Sequence, residues 1–500
     1  MLRSVVPWPW AMPVAAFVGA LATLAFAPYG WYPLAVVSVL MLYQLLQGRS
    51  GLRALLLGWA YGLGLLGFGV FWIRISLNEF GNMPVPVAHL VTALFIAGMA
   101  LYYGIAGWLI HRFGRGDGWA GPLLVLPSAW VLLEWLRGWL MTGFPWLAMG
   151  YGQADSPLGG YAPLVGVYGV SLLVVLSSGL VWLVVQRSGT VRYLLAFLLL
   201  GLWLGGAGLW RVQWTVPAGD AFEAAVVQAN IPQAVKWNKE SLLPTLEAYL
   251  ELTKERFDAD VIVWPETALP EFLHRLRDPF IDPLSERARE EGSEIVIGIP
   301  VIDLAQDAYY NGLLAIGAAE DLYYKRHLVP FGEFIPFKGL LGGMMEIFEV
   351  PMSDFSAGAS PRPLLQVGRY QAGVSICYED AFPGEVIQAL PDAAYLINVS
   401  NDAWFGDSLA PHQHLEIARM RALESERYLL RATNTGISAI LDPKGRILGV
   451  VPSFERGGVS ERIQPLTGAT PFVRVGNWLV IGLAAVMLVV VVWLRYRSGR

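Results

Sequence analysis

The sequence predicts a helical membrane domain of eight spans, interrupted before its last span by a water-soluble domain of layered α/β type. Three observations predict this. Of 500 residues, 55% are hydrophobic and only 15% charged, with a mean hydropathy of +0.48, whereas an ordinary soluble domain carries about 25% charge. The charge is also uneven: residues 1–210 hold nine Arg, four acids and no Lys, which leaves 62 of the 75 charged residues to positions 211–500. Finally, long apolar runs fill the first part and short β-branched runs replace them from about residue 211. The expected division is therefore 1–210 for spans one to seven, 211–474 for the soluble domain, and 475–500 for span eight and a tail.

A spanning helix needs about 20 mostly apolar residues. Such runs centre on 10–27, 31–48, 54–73, 87–110, 122–140, 165–186, 192–210 and 476–494. The first is read as a retained helix and not a signal peptide, because a second apolar run follows at once with no small-residue cleavage site between them. Cytoplasmic loops retain positive charge. If eight spans alternate, Arg3, Arg49, Arg53, Arg112, Arg115, Arg187, Arg192, Arg495, Arg497 and Arg500 fall on one side, and only Arg74 and Arg137 on the other. Both termini are thus expected in the cytoplasm, with the soluble domain facing outward.

Gly62-Leu63-Gly64-Leu65-Leu66-Gly67 fits a dinucleotide-binding pattern, but it lies inside an apolar span with no strand or ribose-binding acid beside it. Close helix packing through Gly58 and Gly62 explains it better. Glu134 and Arg137, three apart near the outward end of span five, are a functional candidate at membrane depth, or else a mutual ion pair. The net charge of −5, with no Lys/Arg-rich run, argues against a nucleic-acid partner. A single cysteine excludes an internal disulfide.

In the soluble part, Phe222 to Gln228, Val261 to Trp264, Glu294 to Ile299, Leu313 to Ile316, Gly373 to Cys377 and Ala394 to Val399 read as strands, and 239–257, 278–291 and 412–430 as helices. That alternation argues for a buried sheet covered by helices.

The chemistry gathers at strand ends. Val261-Ile262-Val263 runs into Trp264-Pro265-Glu266, where the proline ends the ladder and fixes a carboxylate in place. Its ordinary alternative is a helix cap. Tyr324-Lys325-Arg326-His327-Leu328-Val329-Pro330-Phe331-Gly332-Glu333 sets Lys325 and Glu333 in apolar surroundings, where a solvated lysine and a surface acid are the plain alternatives. Gly373-Val374-Ser375-Ile376-Cys377-Tyr378-Glu379-Asp380 delivers the only cysteine to an acidic turn. A lone cysteine is more often a small buried hydrophobe, and the stretch misses the G-x-S-x-G elbow of serine hydrolases because Cys stands at the final glycine position. Taken together, an acid, a lysine and a cysteine suit acyl transfer. Lys325 supplies positive charge near the thiol and Glu266 accepts its proton. Lys325 and the Tyr378 backbone N–H would then stabilise a tetrahedral oxyanion.

At these residues the chain resembles the nitrilase superfamily, whose Glu-Lys-Cys triad matches Glu266, Lys325 and Cys377 in order and approximate spacing. Together with the surrounding spans it resembles the apolipoprotein N-acyltransferases over nearly its whole length. Further similar motifs are Thr142-Gly143-Phe144-Pro145-Trp146-Leu147, Gln228-Ala229-Asn230-Ile231-Pro232-Gln233 with Lys236-Trp237, and Asn398-Val399-Ser400-Asn401-Asp402-Ala403-Trp404-Phe405-Gly406. The resemblance implies a nitrilase-like α-β-β-α sandwich and no cofactor or metal. It implies a two-step reaction in the bacterial inner membrane with a periplasmic catalytic domain. Cys377 takes an acyl chain from a phospholipid, phosphatidylethanolamine at sn-1, to form a thioester. The α-amine of a lipoprotein's diacylglyceryl-cysteine then accepts it. The resemblance also gives Glu333 a supporting role, has Tyr378 and Glu379 shape the pocket, and sets Trp237 on a mobile arm over the entrance. A monomer is expected.

A thioester lasts longer where water is excluded. The apolar stretch 339–350 accordingly reads as a lid dipping into the outer leaflet through Leu340, Leu341, Met344, Met345, Ile347 and Phe348, with ordinary core packing as the alternative. Other functions fit less well. A membrane-anchored nitrilase-type amidase would use the same triad but needs fewer spans. A transporter would place ionisable residues at the midplane and show repeated halves. A metal centre would rest on His412 and His414 alone, whose plainer role is local hydrogen bonding. Asn398-Val399-Ser400 matches a glycosylation sequon, which is empty in a bacterial membrane enzyme.

Overall fold

The computed structural model describes residues 6–114, 118–334 and 355–497. The lid stretch and its six named residues fall outside them. The chain forms two compact units: one of Met1–Arg74, Pro86–Val212 and Arg474–Arg500, the other of Ile75–Val85 and Gln213–Val473.

The first unit is helical, and each apolar run of the sequence carries a helix: Trp8–Ala22, Pro33–Leu46, Gly51–Gly69, Val85–Phe113, Leu126–Arg137, Ala162–Gln186, Gly189–Leu209 and Trp478–Arg497. Among the described residues, six helices are long and apolar enough to cross a membrane. Pro33–Leu46 and Leu126–Arg137 are shorter, the latter preceded by a wide helical turn over Gly121–Val125. Prolines open several of these helices, where their missing N–H is not needed. Gly58 and Gly62 pack helix on helix: a Cβ on Gly58 would strike the Tyr103 carbonyl, and one on Gly62 would crowd Ala100 and Tyr103. The glycine pattern is therefore a packing seam. Glu134 and Arg137 are both buried, but they serve separate partners. Glu134 accepts from the Trp130 indole and the Met149 N–H, each at 2.9 Å. Arg137 donates to the carbonyls of Phe144, at 2.9 Å, and Trp146, at 2.6 Å. A charge at this depth is thus used to fix the loop 142–147, whose Thr142, Gly143 and Leu147 have left-handed backbone.

The second unit holds two six-stranded sheets. The strands are β1 (Phe222–Gln228), β2 (Val261–Val263), β3 (Glu294–Asp303), β4 (Ala308–Ile316), β5 (Asp321–Tyr324), β6 (Leu364–Val367), β7 (Tyr370–Ile376), β8 (Tyr395–Ser400), β9 (Leu429–Thr433), β10 (Ser438–Leu441), β11 (Ile447–Val451) and β12 (Gly457–Ile463). One sheet runs β12-β1-β2-β3-β4-β5 and the other β11-β10-β9-β8-β7-β6. Each has three parallel strands at its heart, β1 to β3 in one and β7 to β9 in the other, flanked by antiparallel partners.

Strand periodicity sorts the layers. Even-numbered Phe222, Ala224 and Val226 of β1 join Val374, Ile376, Ile397 and Val399 in the core between the sheets. Odd-numbered Ala225 and Val227 face the other way, against Leu246, Tyr249 and Leu252 of helix Leu242–Lys254 and Leu284 and Ala288 of helix Asp282–Glu291. On the far face of the second sheet, Leu396, Leu429 and Leu441 pack against Leu415, Ala418 and Ala422 of helix Ala410–Ser425. The order is helix, sheet, sheet, helix. One sequence boundary moves: the expected helix 412–430 stops at Ser425, because Glu426 turns left-handed with φ 50° and Leu429 begins β9.

Candidate active site

Glu266 stands on the turn after β2, where Pro265 has ended the strand. Trp264 anchors that turn, fully buried, with its indole donating to Thr253 Oγ1 at 3.0 Å. Gly298 of β3 lets the turn lie directly on the sheet, since a side chain there would collide with the Pro265 carbonyl. The Glu266 carboxylate is nearly buried, and each of its oxygens has a donor: Asn311 Nδ2 reaches Oε1 at 2.8 Å and the Asn401 N–H reaches Oε2 at 2.8 Å.

Lys325 follows β5, and its N–H extends the ladder to the Asn311 carbonyl at 2.9 Å. Its ammonium is 1% exposed and lies 2.8 Å from Glu333 Oε1 and 3.6 Å from Glu266 Oε1. Asn311 Nδ2 also reaches Glu333 Oε1, at 3.1 Å, and so bridges the two carboxylates. Burial opposes the charge on Lys325, but the Glu333 and Glu266 carboxylates outweigh it and hold its pKa above the usual lysine range. A permanent ammonium therefore sits between two acids.

Cys377 closes β7 in left-handed backbone, with φ 52°. Its thiol pKa is pushed well up, first by burial and then by Glu266, while Lys325 acts the other way. The resting sulfur is therefore a thiol, and any nucleophilic role would need a base to take its proton. Glu379, buried, accepts from the N–H groups of Ile376 (2.7 Å), Arg326 (2.7 Å) and His327 (3.1 Å) and from the Tyr323 hydroxyl (3.0 Å). It ties the strand end bearing Lys325 to the one bearing Cys377. The Tyr378 ring packs edge-on against His327 and Phe382.

Lys325 thus meets both Glu266 and Glu333, and the charges of Glu266 and Lys325 both act on Cys377. Trp237 is 40% exposed at the end of the short helix Gln233–Lys236. Sequence reasoning gave no role to Asn311, Asn401 or Lys236. Lys236 is 1% exposed, with Nζ 3.5 Å from the Glu266 carbonyl oxygen. Its signal was the motif beside Trp237, and that of Asn401 was the Asn398–Gly406 motif; Asn311, in mid-strand, had none. No group of three or more His, Cys, Asp or Glu suited to a metal occurs among the described residues.

Residues 18–180 match the model of the apolipoprotein N-acyltransferase N-terminal domain, and residues 223–472 match that of carbon-nitrogen hydrolases. The chain is 44% identical to the apolipoprotein N-acyltransferase of Methylococcus capsulatus over 95% of its own length and 94% of the relative's. The chain belongs to the apolipoprotein N-acyltransferase family. Its likeness extends to the family's members from Nitrosomonas europaea, at 42% identity over 95% of this chain and 96% of that one, and Pseudomonas aeruginosa, at 38% over 96% and 95%. Among solved structures, Nit3 of Saccharomyces cerevisiae, a nitrilase-superfamily protein, aligns with 51% of this chain and 93% of its own at 20% identity and a TM-score of 0.37. As a member of the apolipoprotein N-acyltransferase family with a carbon-nitrogen hydrolase domain, the chain is an acyltransferase. Its bacterial relatives and six helices of membrane-crossing length make it a bacterial membrane protein.

Proposed function

We propose that this acyltransferase moves an acyl chain from a membrane phospholipid, through a thioester on Cys377, to the α-amine of the diacylglyceryl-cysteine that begins a bacterial lipoprotein. The observation that carries this reading is a permanent Lys325 ammonium 3.6 Å from the Glu266 carboxylate, both acting on a thiol at a strand end. In the first step Glu266 takes the thiol proton as sulfur attacks the ester carbonyl. Lys325 and the Tyr378 N–H stabilise the oxyanion. Collapse breaks the carbonyl–oxygen bond, and the leaving alkoxide takes the proton from Glu266 and departs as a lysophospholipid. In the second step the amine attacks the thioester and gives its proton to Glu266, and the thiolate leaves, to be reprotonated there. Splitting the transfer in two avoids a direct and slower amine–ester reaction. Glu333 holds Lys325 in place, Tyr378 and Glu379 shape the pocket, and Trp237 covers its entrance.

The relatives' name supports lipoprotein and lipid partners over the simple amidase. Phosphatidylethanolamine as donor and a monomeric enzyme complete the reading. Helices at all eight apolar runs support eight spans, and the arginine bias supports an inner-membrane protein with cytoplasmic termini and a periplasmic catalytic domain.

Mass spectrometry after incubation with phospholipid alone tests the thioester. An acyl adduct is expected on Cys377, absent from Cys377→Ser, and transferred when a diacylated peptide amine is added. Glu266→Gln and Lys325→Ala should each slow adduct formation by about 10²-fold or more. Full transfer by Cys377→Ser would exclude the thioester, and discharge to water as fast as to amine would make the enzyme a hydrolase.

A further inference from the structure

Beneath the Cys377 turn lie four charged side chains that the reaction does not use. Asp380 is on the same turn, Asp402 follows β8, His414 is on helix Ala410–Ser425 and Arg431 is on β9. Each is at most 1% exposed. They close a ring in which each cation meets both anions. His414 Nε2 lies 3.0 Å from Asp380 Oδ1, and Nδ1 lies 2.8 Å from Asp402 Oδ1. Arg431 Nη2 lies 2.9 Å from Asp402 Oδ2, and Nη1 lies 3.6 Å from Asp380 Oδ2. His414 Nε2 also stands 3.3 Å from the carbonyl oxygen of Cys377.

Two features set this ring apart from a packing cluster. With a carboxylate on each ring nitrogen, His414 satisfies both only as an imidazolium donating twice, so it cannot serve as a second base for the thiol. And its contact is to the backbone of a residue whose left-handed φ persists only where the surroundings enforce it. We infer that the Asp380–His414–Asp402–Arg431 ring is a positioning device, which through a protonated His414 holds the backbone of Cys377 in the orientation that presents its sulfur for attack. The charged groups facing His414 are Asp380 from the Cys377 turn, Asp402 from the turn after β8 and Arg431 from β9. Burial and Arg431 disfavour the imidazolium, but the two aspartates prevail and lift its pKa to about 9. The ring is intact at neutral pH and opens as pH rises through about 9.

This rests on Cys377 being the nucleophile, so the test is the rate of acyl-adduct formation on Cys377 in the full-length enzyme with phosphatidylethanolamine vesicles, from pH 6 to 10. The parent rate should fall as pH passes about 9. His414→Gln should slow adduct formation about 10- to 100-fold at pH 7.5, leave KM for phospholipid within twofold, and lose the alkaline fall. A variant within twofold of the parent at every pH would overturn the inference, as would a parent profile flat to pH 10, which decides alone if the variant does not fold. Absence of any adduct on the parent's Cys377 would instead refute the thioester reading.

Discussion

Lys236 poses a question of charge at the scale of one residue. It is as buried as Lys325, yet only Lys325 lies between two carboxylates. For Lys236 burial comes first and the Glu266 charge offsets only part of it, so its pKa is pushed down to about 8. Between that value and the ordinary lysine value of 10.5, an unfolded chain holds a proton that the folded one has released. Stability from this group therefore rises with pH across that window and is lowest below it, by about 3 kcal/mol. His414 has the opposite sign: its raised pKa contributes stability fully below 6.5, and that contribution is lost as pH rises through about 9. Comparing Lys236→Met with the parent cancels the histidine. The gap in thermal midpoint between the two should change in the parent's favour as pH climbs from 8 to 10.5. A gap constant over that range would mean that Lys236 keeps its proton throughout.

At the scale of elements, the site depends on strand ends from two different sheets, β5 with Lys325 and β7 with Cys377, being held together. Glu379 does this with four donors from both sides. Replacing it by Ala would leave three N–H groups, one buried and two partly buried, without their acceptor, at up to about 1–3 kcal/mol each. Glu379→Ala should therefore lower the thermal midpoint much more than Glu379→Gln, which keeps one acceptor oxygen; equal midpoints would show that water fills the gap. Strand ends are also what made the site legible in sequence. Glu266 and Cys377 each follow a short apolar run, and proline or an acidic turn marks the stop. Asn311 was not legible because it lies in mid-strand on β4, where only the tertiary fold reveals a polar side chain aimed at two carboxylates. The parallel strands β1, β2, β3, β7 and β8 could be read from their buried β-branched residues. β9 could not, since Leu429-Leu430-Arg431-Ala432 are good helix formers and its strand state comes from pairing with β8. The flanking strands β10 to β12 were not legible either: Ile447-Leu448-Gly449-Val450-Val451 of β11 is apolar throughout yet mostly exposed, without the apolar–polar alternation that marks a half-buried strand.

For the whole molecule, the arginine distribution makes a statement about sidedness that residue chemistry cannot. Ten arginines on one side of eight alternating spans and two on the other would put the loop after Pro33–Leu46 in the cytoplasm and the catalytic unit outside. The chain's single cysteine makes this easy to test. In a Cys377→Ser background, one new cysteine at Ala305, exposed in the β3–β4 turn, and another, in a separate protein, at Ser50, exposed before helix Gly51–Gly69, report on opposite sides. A maleimide that cannot cross the inner membrane should label Ala305→Cys in spheroplasts and leave Ser50→Cys untouched until the membrane is permeabilised. The reverse pattern would invert the topology and separate the thioester from an acceptor presented outside. Labelling of both before permeabilisation would mean an even number of spans between them, with the short helix Leu126–Arg137 failing to cross, whereas failure of the other short helix, Pro33–Leu46, would give the reverse pattern. Because both are shorter than the roughly 20 residues a bilayer demands, they are where an eight-span reading is most exposed to refutation.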